Sequence, residues 1–179
     1  KHADLTDPAT GTSEPLPPFH WPLEFPEVFL AEGRSGFDTF IGNPPFLGGT
    51  RISTVYGTSY LEAIKTVFPS FYGRADICSL FFIRAFKLLA TDGKSGLIAT
   101  NTISQGDTRE TGLQLIAKAG EIYRATTSFT WPGDAAVIAS IVFVSKKRMK
   151  CSKLLDDKEV SFISSLLDMY RPLGEPFRL

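Results

Sequence analysis

The residues Asn43-Pro44-Pro45-Phe46 follow without a break on the apolar run Phe37-Asp38-Thr39-Phe40-Ile41-Gly42, and no other stretch constrains the fold as much. Each proline locks its own φ, has no N–H to donate, and drives the residue before it out of the helical region. A short strand over 37–42 is therefore predicted to end in a stiff, extended turn with an amide at its start and an aromatic ring at its end. Rigid polar groups just past the end of a strand are where open α/β sheets place their ligands. Four residues alone fit an ordinary loop equally well, so the surroundings must decide.

Those surroundings alternate between two periodicities. From Ala75 to Ala90 the apolar residues Ile77, Leu80, Phe81, Ile83, Phe86 and Leu88 recur at helical spacing, and Asp92-Gly93-Lys94 is expected to end the helix. Gly96 to Thr100 reads as a short buried strand followed by a polar loop over 101–108. Residues 109–119 read as a helix closed by Gly120. Glu121 to Phe129 and the β-branched run Ala135 to Val144 are separated only by the turn Trp131-Pro132-Gly133-Asp134, which predicts an antiparallel hairpin. Strand, helix, strand, helix and hairpin in that order make half of a doubly wound α/β sheet with one antiparallel strand.

The remaining segments are less patterned. Residues 1–18 are rich in Pro, Thr, Ser and Asp and read as a linker. Phe19 to Phe29, broken by Pro22 and Pro26, is expected to run extended and to be pinned by its rings, with His20 and Trp21 structural. Between Phe46 and Arg74 a long mobile insertion is expected, with a short helix over 59–68. Residues 146–158 read as a solvated connector, and a helix is expected from Val160 to Met169. This divides the chain into a start at 1–18, a catalytic part at 19–150 and a connector helix within 151–179.

With 179 residues and 19 basic residues against 19 acidic ones, the chain lacks the cationic field of a self-sufficient nucleic-acid binder. A polyanion would have to meet a local patch. Arg74, Arg109, Lys146 and Lys147 are the candidates, the lysines reading more readily as an exposed loop. Cys78 and Cys151 have neither disulfide nor metal-ligand spacing, which points to a reducing, cytoplasmic setting. No apolar run has the length of a membrane span. The chain starts at Lys1-His2 without an initiating Met, so it is expected to be a piece of a longer polypeptide.

In this order, Asn43-Pro44-Pro45-Phe46, the helical segment Ala75-Asp76-Ile77-Cys78-Ser79-Leu80-Phe81-Phe82, the strand Gly96-Leu97-Ile98-Ala99-Thr100-Asn101 and the Trp131-Pro132-Gly133 hairpin resemble the S-adenosylmethionine-dependent adenine-N6 DNA methyltransferases. Their motif, (Asn/Asp/Ser)-Pro-Pro-aromatic, is matched at every position. Phe19 to Phe29, Asn101 to Arg109 and Trp131 to Val137 are similar more narrowly to the MmeI-like, type IIG restriction-modification enzymes.

The resemblance implies the C-terminal half of a Rossmann-like methyltransferase sheet, with parallel strands, a terminal antiparallel hairpin and helices on both faces. It implies that Asn43 and Pro44 hold the amino group of a flipped adenine, that Pro45 stiffens the turn, and that Phe46 stacks on the base with help from Phe129 or Trp131. Asn43 would also face the cofactor, and Asp76 either touches cofactor or caps its helix. The family's glycine-rich turn for S-adenosylmethionine is missing from these residues. The implied partners are double-stranded DNA, through a target-recognition domain outside the chain, and the rest of the polypeptide; no membrane is implied. Transfer to a protein glutamine or an RNA adenine, or an inert α/β module, are the alternatives.

Overall fold

The structure is a computed structural model and describes residues 19–130 and 138–170. Its helices are α1 (Trp21–Glu24), α2 (Pro26–Phe29), α3 (Gly49–Tyr56), α4 (Thr58–Val67), α5 (Cys78–Leu88), α6 (Gly106–Thr111) and α7 (Leu113–Ala119). Its strands are β1 (Phe37–Gly42), β2 (Leu89–Thr100), β3 (Glu121–Thr130), β4 (Ile138–Ser145), β5 (Lys153–Leu155) and β6 (Lys158–Val160), in one sheet ordered β1-β2-β4-β3-β5-β6. β1 and β2 are parallel, and β4 runs antiparallel to both β2 and β3. The mixed α/β sheet with β3 and β4 as an antiparallel pair is thus as expected, while the turn expected over 131–134 lies outside the described residues. The carboxyl ends of β1, β2 and β3 consequently lie at one end of the sheet.

Alternation along the strands selects the buried face. Leu97, Ala99, Ile122, Ala125, Val142 and Val144 form one cluster with Cys78, Phe82, Ile83 and Phe86 of α5 and Leu113 and Ile116 of α7. On the opposite face Ile98 sits across from Ile141 and Gly96 across from Phe143, while Ile41 remains 84% exposed. A Cβ at Gly96 would lie 2.6 Å from the Phe143 ring, so any larger residue there would force that ring to shift.

Several elements depart from expectation, each for a local reason. Phe19 to Phe29 is not extended but forms two single helical turns, each with a proline in its first turn, where the missing N–H has no consequence. Its rings still pin it, Trp21 meeting Phe37 at 5.5 Å and Phe40 at 5.6 Å. The insertion after Phe46 is no mobile loop. Helices α3 and α4 bury Ile52 and Ile64 with Phe71, Ile77 and Leu80 in a second small core. The backbone at Gly49 comes so close to Arg74 and Ala75 that a Cβ there would lie 2.8 Å from the Ala75 carbonyl oxygen.

The helix expected over 75–90 is shorter, and the chain enters β2 directly at Leu89, so Asp92-Gly93-Lys94 lies inside a strand. The helix expected over 109–119 breaks at Gly112, which packs against Ser79.

The carboxyl-terminal expectations are corrected most. Within the expected connector, Lys153 to Val160 forms a hairpin that extends the sheet beyond β3. Asp156 and Asp157, at φ 49 and 59, make its two-residue turn, the backbone demanded by a tight hairpin. Lys153 is buried, pairing with Glu121 at 3.2 Å and donating to the Met149 and Cys151 carbonyls. No helix forms over 160–169. Ser164 Oγ donates to Asp168 at 2.6 Å and accepts from the Leu166 N–H, side-chain bonds that replace the helical ladder. Ile163 and Leu167 are nevertheless buried in the main core.

Candidate active site

At the carboxyl end of β1 the predicted turn alternates in exposure. Asn43 and Pro45 face solvent, Pro44 is buried, and Phe46 is half-buried with one side packed on the main core. The Asn43 amide makes no hydrogen bond to a described residue, so both its oxygen and its nitrogen are available. It borders an apolar cavity of about 330 Å³ with Trp21, Phe40, Pro44, Phe81 and Arg84. Such a cavity, carrying few polar groups, is the usual form of a small-molecule site. Arg84, which the sequence did not single out, is exposed and has no ion-pair partner among the described residues. Its only sequence signal is its position three residues after Phe81 on α5.

The chain leaving the turn is held firmly. Leu47 N–H donates to the Asp76 carboxylate at 3.2 Å, and the Leu47 carbonyl accepts from Ile77 N–H at 3.0 Å. Asp76, 8% exposed, also accepts from Cys78 N–H at 2.9 Å, and its own N–H donates to Thr108 Oγ1 at 3.0 Å. Burial pushes the Cys78 thiol well up from its ordinary range, and the neighbouring Asp76 charge and hydrogen bond add to the shift. A thiol with a raised pKa stays protonated throughout the neutral range and is a poor nucleophile. Alkylation of the native protein at pH 8 is therefore expected to label exposed Cys151 and to reach Cys78 only after denaturation. Peptide mass spectrometry reads the outcome, and label on Cys78 in the native state would contradict it.

The candidate residues separate into two groups. Asn43, Pro44, Pro45 and Phe46, the segment after β2, and Phe129 near the carboxyl end of β3 share one end of the sheet; that segment is not the loop expected over 101–108 but a 3-10 turn over Asn101–Ser104 leading into α6. Phe129 is half-buried and follows a bulge in β3 at which Ser128 takes φ 52. Bulges of this kind re-aim side chains near active sites. The Asp156 carboxylate holds that bulge through Thr127 N–H at 2.6 Å and Thr127 Oγ1 at 2.8 Å. Trp131 lies outside the described residues.

The basic candidates are mostly engaged. Arg74 and Arg109 belong to the Asn43 end; Arg74 is exposed, whereas Arg109 is 17% exposed and reaches Ser165 and Glu110. Lys146 and Lys147 follow β4, whose antiparallel direction carries them to the opposite end of the sheet. There Lys146 donates to the Lys87 and Leu89 carbonyls at the end of α5, and Lys147 pairs with Asp92. Among the described residues no group of His, Cys, Asp and Glu could hold a metal, and no helix is long and apolar enough to cross a membrane.

Three comparisons bear on this arrangement. A protein of Methanocaldococcus jannaschii named as a type II restriction enzyme and methyltransferase is 31% identical over 106 residues, 59% of this chain and 8% of that protein. The DNA-bound structure of the type IIL restriction-modification enzyme MmeI superposes with a TM-score of 0.60 at 19% identity, covering 73% of this chain and 19% of that one. At that identity the superposition establishes the fold, and in both cases the chain spans only a small part of its relative. The family pattern described as Eco57I restriction-modification methylase matches residues 10–123, more than half of the chain, which therefore belongs to that family.

Proposed function

We propose that this chain is the methyl-accepting part of a larger restriction-modification methyltransferase, which transfers a methyl group from S-adenosylmethionine to the exocyclic nitrogen of an adenine in double-stranded DNA. The observation that carries the reading is the unpartnered Asn43 amide on a proline-stiffened turn, beside an apolar cavity at the carboxyl end of parallel strands. S-adenosylmethionine supplies an electrophilic methyl group on a sulfonium. The residues present fit the acceptor side of that chemistry, an amide oxygen, a neighbouring carbonyl and an aromatic face. The glycine-rich turn that would hold the donor is not among the 179 residues.

Adenine's amino nitrogen is a weak nucleophile because its lone pair is delocalised into the ring. The Asn43 side-chain oxygen and the Pro44 carbonyl accept its two N–H groups and concentrate the lone pair on nitrogen, which is catalysis by positioning and electrostatics. A paired base cannot reach such a turn, so it is swung out of the duplex. Phe46, held on one side by the core, offers its other side to the base, a stacking contact worth about 1–3 kcal/mol. Phe129 or Trp131 supplies a second ring. Arg74, exposed at the same end, suits a phosphate contact, and Asp76, hydrogen-bonded to the backbone, suits support more than direct cofactor contact.

The test is product identity. The full-length polypeptide is incubated with labelled S-adenosylmethionine and duplex DNA, and the DNA is digested to nucleosides. N6-methyladenine is expected; label on cytosine, or on a glutamine peptide or RNA in preference to DNA, would overturn the assignment.

A further inference from the structure

Two loops that leave neighbouring strands are tied together by hydrogen bonds lying outside the proposed chemistry. The segment after β2 contributes, from the first turn of α6, Asp107, whose carboxylate accepts from Arg74 N–H at 2.8 Å, and Thr108, whose hydroxyl accepts from Asp76 N–H at 3.0 Å. Gly73, at φ 61, is pressed against Asp107 so closely that a Cβ there would lie 2.1 Å from its carboxylate oxygen. The segment so gripped holds the loop after β1. The Asp76 carboxylate accepts from Leu47 N–H at 3.2 Å, and Ile77 N–H donates to the Leu47 carbonyl at 3.0 Å. Both backbone polar groups of Leu47 are thus satisfied by residues far from it in sequence, and Leu47 is covalently next to Phe46.

We infer that Asp76 is a positioning residue that, backed by Thr108, sets the place of the Asn43 to Phe46 turn from its downstream side. The upstream side needs no such device, because β1 fixes Gly42 and the two prolines restrict the turn itself. Beyond Pro45 the backbone regains its freedom, and the grip on Leu47 fixes it immediately after Phe46, whose ring packs on the main core. The grip is well protected: Asp76 and Thr108 are 8% and 6% exposed. Water therefore competes poorly for these bonds, and removing the carboxylate leaves the buried Cys78 N–H and the part-buried Leu47 N–H without their acceptor. The same carboxylate orders Cys78 N–H at the start of α5, so the turn and the helix are set in one step. Misplacement of reacting groups by about 1 Å is enough to cost on the order of 100-fold in rate. This assignment deepens the proposed methyl-transfer reading and rests on it for its effect on rate, while its effect on backbone protection is independent of any reaction.

The experiment compares Asp76→Ala and Asp76→Asn with the unaltered full-length polypeptide by hydrogen exchange and by steady-state kinetics. Asparagine retains an acceptor oxygen for Leu47 and Cys78, and alanine has none. Asp76→Ala is expected to speed exchange of the peptide carrying Leu47, and to lower kcat, each by about 10- to 100-fold at unchanged cofactor and DNA affinity. Asp76→Asn is expected to restore both. Unchanged exchange at Leu47 in Asp76→Ala overturns the inference. So does a loss of cofactor affinity in Asp76→Asn, which would make the carboxylate charge a direct ligand. Should the alanine variant melt below the assay temperature, Thr108→Val, which removes only the backing bond, must show the same pattern in weaker form. An unaltered polypeptide that transfers no methyl group overturns the methyltransferase reading instead, and the exchange arm then decides the role of Asp76 alone.

Discussion

Asn43→Ala is expected to lower kcat for methyl transfer by about 100- to 1,000-fold, the size of effect seen when one preorganised hydrogen-bonding group is removed from a reacting centre. Asn43 is exposed and unpartnered, so its truncation strands no buried group and leaves the fold intact. The loss should fall on kcat, with DNA affinity preserved, because the amide acts when the lone pair is drawn out rather than when DNA is bound. Asn43→Asp keeps an acceptor oxygen and should retain part of the activity. The measurement is labelled methyl transfer to duplex DNA by the full-length polypeptide, with melting temperature as the control for folding. Undiminished turnover in the alanine variant would remove Asn43 from the mechanism.

Phe82→Ala is expected to destabilise the domain by about 3–5 kcal/mol, the range for an aromatic residue removed from a packed core. Phe82 is 1% exposed and stands where α5 meets the sheet and α7, so no neighbour can close the space without shifting a strand or a helix. For a domain of this size each kcal/mol lowers the melting temperature by about 2–4 °C, so a fall on the order of 10 °C is expected by calorimetry. By contrast Phe81, on the same helix but 43% exposed beside the cavity, should tolerate alanine with little loss of stability. Equal destabilisation by the two substitutions would refute the assignment of α5's buried face.

The elements legible in the sequence are those whose cause lies within a few residues. Local periodicity or proline announces α5, β3, β4 and the stop after β1, and α4 lies within a residue of its expected ends. The β5–β6 hairpin carries only a weak signal, two aspartates between Leu154-Leu155 and Lys158-Glu159-Val160, because Asp-Asp is rarer in tight turns than Asn-Gly or Asp-Gly. The expected helix over 160–169 fails through competition: its apolar spacing is helical and does bury Ile163 and Leu167, yet Ser164 and Asp168 offer the backbone better partners.

The candidate site divides the same way. Asn43-Pro44-Pro45-Phe46 determined by itself a rigid turn presenting an amide and a ring, since proline acts on its own φ and on the residue before it. Only the tertiary structure decided what that turn rests on, because Asp76 is 29 residues from Leu47 in the chain and Thr108 is 32 from Asp76. Only the strand directions separated the basic residues, leaving Arg74 at the Asn43 end and carrying Lys146 and Lys147 to the other. Conformational restriction is a property of neighbouring residues and is written locally. Hydrogen-bond partners and charge placement depend on which distant segments the sheet brings together, and one antiparallel strand was enough to reverse the second.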